Sequence, residues 1–318
     1  MTTTEQTEPV IGIALGSGSA RGWAHIGVLR ALEEMGIRPT IISGCSIGAL
    51  VGSAYATGQL AQMERWASGL DWKDILSYLD ISLLDGGFMR GEKLMQYAQQ
   101  FIGGYQIEAL PLQYAAVATD LENGREVWLR EGDLLQAVRA SMSLPGLFSP
   151  QKRGNRWLVD GGLVDPVPVS LCRAMGADVV IAVNLNGDIV GKHLRRKHHK
   201  APLDTLGEAA QQSGLWSKLS DQISNSLQQQ KNALMTQLLG DSLHSPGLFD
   251  VMASSINIMQ DRITRSRMAG DPPDVLISPQ LADLGLMEFD QATAAIQEGR
   301  DSVERMAFAL HSLGVGAS

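Results

Sequence analysis

The stretch Ile41-Ile42-Ser43-Gly44-Cys45-Ser46-Ile47-Gly48-Ala49-Leu50 decides how the chain is read. Ile41 and Ile42 read as a buried strand, and Ala49, Leu50 and Val51 as the start of a helix. Between them Gly44-Cys45-Ser46-Ile47-Gly48 fits G-x-S-x-G. At so sharp a strand-to-helix turn the central residue carries a strained backbone, and the positions two before and two after must be small because strand and helix crowd them. The strain lifts the serine oxygen off the sheet toward solvent. That is the geometry of a nucleophile elbow, provided the chain also supplies a base and a place for negative charge.

Outward from this turn the chain alternates strand and helix. Residues 10–16 (VIGIALG) form a short apolar run ending in glycine. After a Gly/Ser-rich turn, Ile26, Leu29, Ala31, Leu32 and Met35 recur at helical spacing and stop at Gly36. Residues 114–121 (YAAVATDL) and 177–185 (ADVVIAVNL) read as further strands, 125–132 (REVWLREG) as an antiparallel or edge strand, and 156–163 (RWLVDGGL) as a short strand with a turn. Proline and glycine mark 143–157 as a loop. Residues 254–268 read as a helix, 273–279 (PDVLISP) as the last strand, and 290–313 as a closing helix. This order predicts an α/β fold, a mainly parallel sheet with helices on both faces.

Bulk composition narrows the function. The 318 residues are 44% hydrophobic, enough for an ample core, and the net charge of −8 speaks against nucleic-acid binding. The two cysteines, Cys45 and Cys172, have neither a disulfide framework nor ligand spacing, so a reducing compartment is expected. The N-terminus lacks the basic start and apolar run of a secretory signal. Residues 1–9 therefore read as a disordered tail, and no apolar stretch is long enough to span a bilayer. The expected organisation is one domain over 10–315 with an insertion at about 187–250. There, residues 187–202 carry five Lys/Arg and three His, and Leu215, Leu219, Ile223 and Leu227 then share one helical face. A basic segment joined to an amphipathic helix is the composition of a peripheral membrane contact, here through 192–240. A surface loop followed by a core-docked helix accounts for it equally.

Three segments carry chemistry. Ser46 needs a neighbour to accept its proton. Of the six histidines, His193, His198 and His199 lie in the basic stretch, and His25 precedes the serine on the first helix. His311 has the usual late position but sits inside a helical pattern. Asp160, in Trp157-Leu158-Val159-Asp160-Gly161-Gly162, follows a short apolar strand and has Gly161 and Gly162 beside it to permit tight geometry. It reads equally as a base and as an Asx-turn; Asp120 and Asp165 lack this setting. The third segment, 16–27 (GSGSARGWAHIG), fails the Rossmann spacing at Arg21 and lacks the Gly-Lys of a Walker loop. What remains is an oxyanion hole of backbone N–H donors at a helix N-terminus, with Arg21 steadying the loop or meeting a substrate phosphate.

Together the blocks GSGSARGWAHIGVLRALEEMGI, GCSIGALVGSAYATG, RASMSLPGLFSP and LVDGGLVDPVPV, with a weaker one at 259–279, resemble the patatin-like phospholipases, in particular the bacterial branch similar to neuropathy target esterase. The resemblance implies a three-layer α/β/α sandwich and a serine acyl hydrolase acting on lipid esters through a Ser–Asp dyad without histidine, metal or cofactor. Carried across, Ser46 is the nucleophile with Gly44 and Gly48 framing its elbow. Asp160, with Gly161 and Gly162, is the base, and the N–H groups of Gly18 and Ser19, with Arg21 nearby, form the oxyanion hole. Ser17 and Ser19 stand where the family has glycines, which strains any of them held at positive φ. An acyltransferase on a related core and a non-catalytic scaffold member are the alternatives. The expected setting is cytoplasmic or peripheral at the inner membrane surface.

Overall fold

The computed structural model describes residues 9–71, 74, 92–188 and 248–313. In chain order these form β1 (Ile11–Leu15), a 3-10 turn (Ser19–Trp23), α1 (Ala24–Glu34), β2 (Ile41–Cys45), α2 (Ile47–Ala56), α3 (Leu60–Ser68) and α4 (Glu92–Ile102). There follow β3 (Gln113–Asp120), β4 (Glu126–Leu129), α5 (Leu134–Ser141), β5 (Gln151–Arg153), β6 (Arg156–Asp160), α6 (Val169–Ala174) and β7 (Val179–Val183). The chain closes with α7 (Leu248–Gly270), β8 (Val275–Ile277), α8 (Ala292–Arg305) and α9 (Ala307–Ser312).

The strands make one sheet in the order β5-β6-β3-β2-β1-β7-β8, with β4 also on β3. The pairs β3–β2, β2–β1, β1–β7 and β7–β8 are parallel; β4 and β6 both run antiparallel to β3. The central strands are continuous apolar runs because both their faces are covered. Ile13, Leu15, Ile42, Tyr114, Ala116, Ile181 and Val183 face one core with α1, α2 and α8. Ala14, Ile41, Ala115, Val117, Val180 and Ala182 face a second with Val169, Leu171 and Cys172 of α6. This is the expected α/β/α sandwich. On the first face α1 and α8 cross at a glycine pair: a Cβ on Gly27 would stand 1.9 Å from the Ile296 carbonyl oxygen, and one on Gly299 2.1 Å from that of Ala24.

One feature of the register builds the site. Along β3, β2 pairs with Gln113–Val117 and β4 with Ala116–Thr119. Because these overlap, β2 and β4 occupy opposite edges of β3. β6 pairs with Ala118–Asp120, overlapping β4, so it shares the edge of β2. The last residue of β2, Cys45, sits opposite Val117, and the last of β6, Asp160, opposite Ala118. β2 and β6 thus run head-on along one edge, and their C-terminal ends meet.

Two elements differ from the sequence reading. Within the stretch taken as a loop, Gln151–Arg153 pairs with β6 as a hairpin, turning at Gly154 (φ 60°). The closing helix is interrupted at Met306 (φ −101°, ψ 6°). The strand read at 125–132 is antiparallel, as expected. Residues 189–247, which hold nearly all of the basic and amphipathic insertion, lie outside the described residues. Among those described, no helix is long and apolar enough to cross a membrane.

Candidate active site

β2 delivers Ser46 into the gap where it meets β6. Ser46 has φ 56° and ψ −123°, and with Ser19 (φ 53°) it is one of two non-glycine residues at positive φ among those described. Such a conformation costs about 1–3 kcal/mol and needs support from its surroundings. That support is visible. The Ser46 N–H donates to Ser141 Oγ at 2.9 Å, from the last turn of α5. α5 is itself started by Asp133, whose side chain accepts the Gln136 N–H at 2.8 Å. A Cβ on Gly48 would lie 2.2 Å from the Leu15 carbonyl oxygen, and one on Gly44 2.5 Å from Ala49 Cα. Both obstacles are backbone and cannot swing away. Gly48→Ala should therefore cost about 4 kcal/mol or more, read as a sharply lowered midpoint in urea unfolding or as insoluble protein.

The Ser46 hydroxyl donates to Asp160 Oδ2 at 2.6 Å. The other carboxylate oxygen, Oδ1, accepts the Gly162 N–H at 2.7 Å. The Asx-turn and the serine contact left open by the sequence are therefore both present, one on each oxygen. A Cβ on Gly162 would be 2.3 Å from Gln260 Nε2, so a larger residue there would have to push the Gln260 amide aside. The Asp160 backbone is held on both sides: its N–H donates to Ser143 O at 2.9 Å and its carbonyl accepts Thr119 Oγ1 at 2.8 Å. Ser141 and Ser143 thus grip the two candidate partners from one short segment. They lie in the RASMSLPGLFSP block, which carried the signal without saying what those hydroxyl and carbonyl groups do.

Asp160 is fully buried. Burial lifts its pKa from 3.8 to about 6, while the hydrogen bonds from Ser46 and the Gly162 N–H hold it down. The result is a carboxylate that is ionised at neutral pH yet unusually basic. The rival aspartates have other duties. Asp120 accepts the Glu122 N–H and Asn123 Nδ2 in a turn, and Asp165 faces Arg267 at 3.4 Å.

The Gly/Ser loop lies beside the elbow: the Cβ position of Gly48 points at Gly16 O, and that of Gly22 at Ile47. Most of its N–H groups are taken. Gly16 donates to Val183 O, Ser17 to Pro166 O, Ala20 to Leu286 O and Arg21 to Gly18 O. Among the described residues no acceptor takes the N–H of Gly18 or Ser19. Ser19 sits at positive φ, and its hydroxyl offsets the strain by donating to Leu286 O at 2.6 Å.

Arg21 is buried, with its guanidinium donating to Leu284 O and to Asn186 Oδ1, both at 3.0 Å. Burial lowers its pKa from 12.5 to about 10, leaving it charged. It steadies the loop; a substrate phosphate is beyond the reach of a side chain so enclosed. Asn186 and Ser17 both donate to Gln260 Oε1, at 3.0 Å each, so α7 closes the web behind the loop. His25 belongs to it too. Burial drops its pKa to about 4, so the ring is neutral, and Nε2 donates its proton to Gly16 O at 2.7 Å. His311 is exposed, with Nδ1 2.6 Å from the Ala307 carbonyl of its own helix.

The sequence profile described as "Patatin-like phospholipase" matches residues 13–173, just over half of the chain. The chain belongs to the patatin-like phospholipase family. Within it, an uncharacterized NTE family protein of Mycobacterium tuberculosis is 35% identical over 92% of this chain and 90% of its own length. A lysophospholipase NTE1 of Pyricularia oryzae is 29% identical over 91% of this chain, which corresponds to 18% of that larger protein. This patatin-like chain is thus an enzyme of the lipid-hydrolase class, with its elbow, D-G-G turn and Gly/Ser loop all inside the family segment.

Proposed function

We propose that this patatin-like hydrolase cleaves fatty-acyl esters, phospholipid or lysophospholipid, through a Ser46–Asp160 dyad and an acyl-enzyme. The observation that carries the reading is the 2.6 Å hydrogen bond from Ser46 Oγ to a fully buried carboxylate. A lysophospholipase among its relatives fits a single-acyl lipid.

The chemistry follows from the geometry. Ser46 Oγ attacks the acyl carbonyl carbon and its proton passes to Asp160 Oδ2. The carbonyl oxygen, now negative, is met by the N–H groups of Gly18 and Ser19, donors fixed before the reaction and therefore not reorganised during it. The tetrahedral intermediate collapses, the C–O bond to the alcohol breaks, and the alcohol leaves with the proton from Asp160. Water then attacks the acyl-enzyme, giving a proton to Asp160, and the fatty acid departs as Ser46 recovers its hydrogen. An aspartate serves alone because burial raises its basicity toward that of imidazole. Ser46 needs no histidine within reach.

The pH dependence tests this base. Asp160 must be ionised to accept the serine proton, so kcat/KM for a short-chain nitrophenyl ester should rise about tenfold per pH unit below about 6 and level off above it. His311→Ala should leave the profile unmoved. A profile governed by His311, or a wild-type chain that hydrolyses neither nitrophenyl esters nor lysophospholipids, would overturn the reading.

A further inference from the structure

The β5–β6 hairpin is the one basic, aromatic projection the proposed reaction does not use among the described residues. Residues 149–158 (SPQKRGNRWL) contain Lys152, Arg153 and Arg156 and no acidic residue, in a chain whose net charge is −8. Every residue from Lys152 to Trp157 is exposed, and Trp157 keeps 44% of its surface in water. Lys152 pairs with Trp157 across the hairpin and holds its Nζ 5.8 Å from the ring centroid. Beside them Leu121 is 53% exposed, and its N–H donates to Trp157 O at 2.8 Å. The tip thus joins an indole, an aliphatic side chain and cations. Two of the cations have acceptors nearby, Arg156 facing Asp120 at 3.7 Å and Arg153 donating to the Glu131 carbonyl at 2.6 Å, with Glu122 exposed in the adjoining turn, but both arginines remain exposed to solvent.

Its position matters as much as its composition. Ser46 opens from the C-terminal end of β2, which is parallel to β3. β6 starts past the C-terminal end of β3, the end toward which β2 also points: Leu158 pairs with Asp120, the last residue of β3, and Trp157 lies one step further. The hairpin therefore projects beyond the sheet on the edge to which the elbow opens. Trp157 stands only three positions before Asp160, about 10 Å of extended chain.

We infer that the β5–β6 hairpin docks the enzyme onto an anionic lipid surface, with Trp157 and Leu121 entering the headgroup boundary and Lys152, Arg153 and Arg156 meeting lipid phosphates. The inference rests on the lipid-ester reading above and adds the surface from which the substrate is taken. Tryptophan with flanking cations suits a boundary that is apolar on one side and charged on the other. Cations on an edge strand also block strand-to-strand association, but that role gives no reason to expose an indole and a leucine next to them.

Sedimentation with vesicles tests it, using the whole chain carrying Ser46→Ala so that the lipid is not consumed. Vesicles of equal parts phosphatidylcholine and phosphatidylglycerol should pellet the protein, and pure phosphatidylcholine vesicles should do so much less. Adding Lys152→Ala with Arg153→Ala, or Trp157→Ala alone, should weaken pelleting roughly tenfold or more. In the active chain the same hairpin substitutions should leave hydrolysis of a water-soluble ester unchanged, which also shows that they fold. Pelleting that survives the hairpin substitutions, or no pelleting with the hairpin intact, overturns the inference and leaves the cations as edge protection. Vesicle binding by an inactive chain does not depend on turnover, so its failure is distinct from a failure of the acyl-hydrolase reading.

Discussion

Ser46→Ala should lower ester turnover by about 10⁴-fold or more while the protein stays folded. The size follows from the mechanism: without the hydroxyl no covalent intermediate forms, and fixed N–H donors next to bound water give only a residual rate. The stability effect is smaller and has two parts. Alanine keeps the φ of 56°, so the backbone strain remains. It also removes one of the two hydrogen bonds that hold the Asp160 carboxylate down, so that group should titrate above its present value of about 6. Ser46→Gly removes the same hydroxyl but relaxes the left-handed strain. The glycine variant should accordingly melt higher than the alanine variant, by the equivalent of about 1 kcal/mol. Calorimetry of the two beside wild type checks the order.

Asp160→Asn should lower kcat by about 10³- to 10⁴-fold and stabilise the fold. An amide of the same shape still accepts the Gly162 N–H but takes no proton from serine. The stability gain comes from removing a buried charge. Because the folded pKa of about 6 stands above the ordinary 3.8, the folded state holds its proton more tightly than the unfolded chain does. Stability therefore falls as pH rises from about 4 to about 6, and above that the ionised carboxylate costs the fold about 3 kcal/mol. Asparagine does not titrate. The melting temperature of the variant should exceed that of wild type above pH 6, and the gap should close below pH 4. Activity and stability oppose each other at this residue because the same burial produces both the basicity and the cost.

Local signals in the sequence carried the elbow and the D-G-G turn. G-x-S-x-G is a steric statement about Gly44 and Gly48, and the backbone obstacles at both positions are the ones it implies. Hydrophobic runs likewise gave the parallel strands, whose two buried faces leave no polar alternation. What the sequence did not carry was long-range. Nothing local says that β6 takes over the edge of β3 where β2 leaves it, yet that register brings Ser46 to Asp160 across 114 positions. The webs of Ser141 with Ser143 and of Gln260 with Asn186 were hidden for the same reason. The sequence does not choose between the two roles of Arg21 because burial, which decides it, depends on Leu284 and Asn186 far along the chain. β5 was masked by proline and glycine around a three-residue strand whose partner supplies all its order. Ser19 shows the limit from the other side: its φ of 53° is supported by Leu286 O, distant in sequence, which receives its hydroxyl.

The most direct test is to react the wild-type chain with a fluorophosphonate ester, which captures only an activated serine, and to locate the adduct by mass spectrometry of the digested protein. The dyad requires a single adduct on the peptide bearing Ser46, formed rapidly in wild type, slowly in Asp160→Asn and not in Ser46→Ala. An adduct on another serine, or labelling of Ser46 as fast in Asp160→Asn as in wild type, would contradict it.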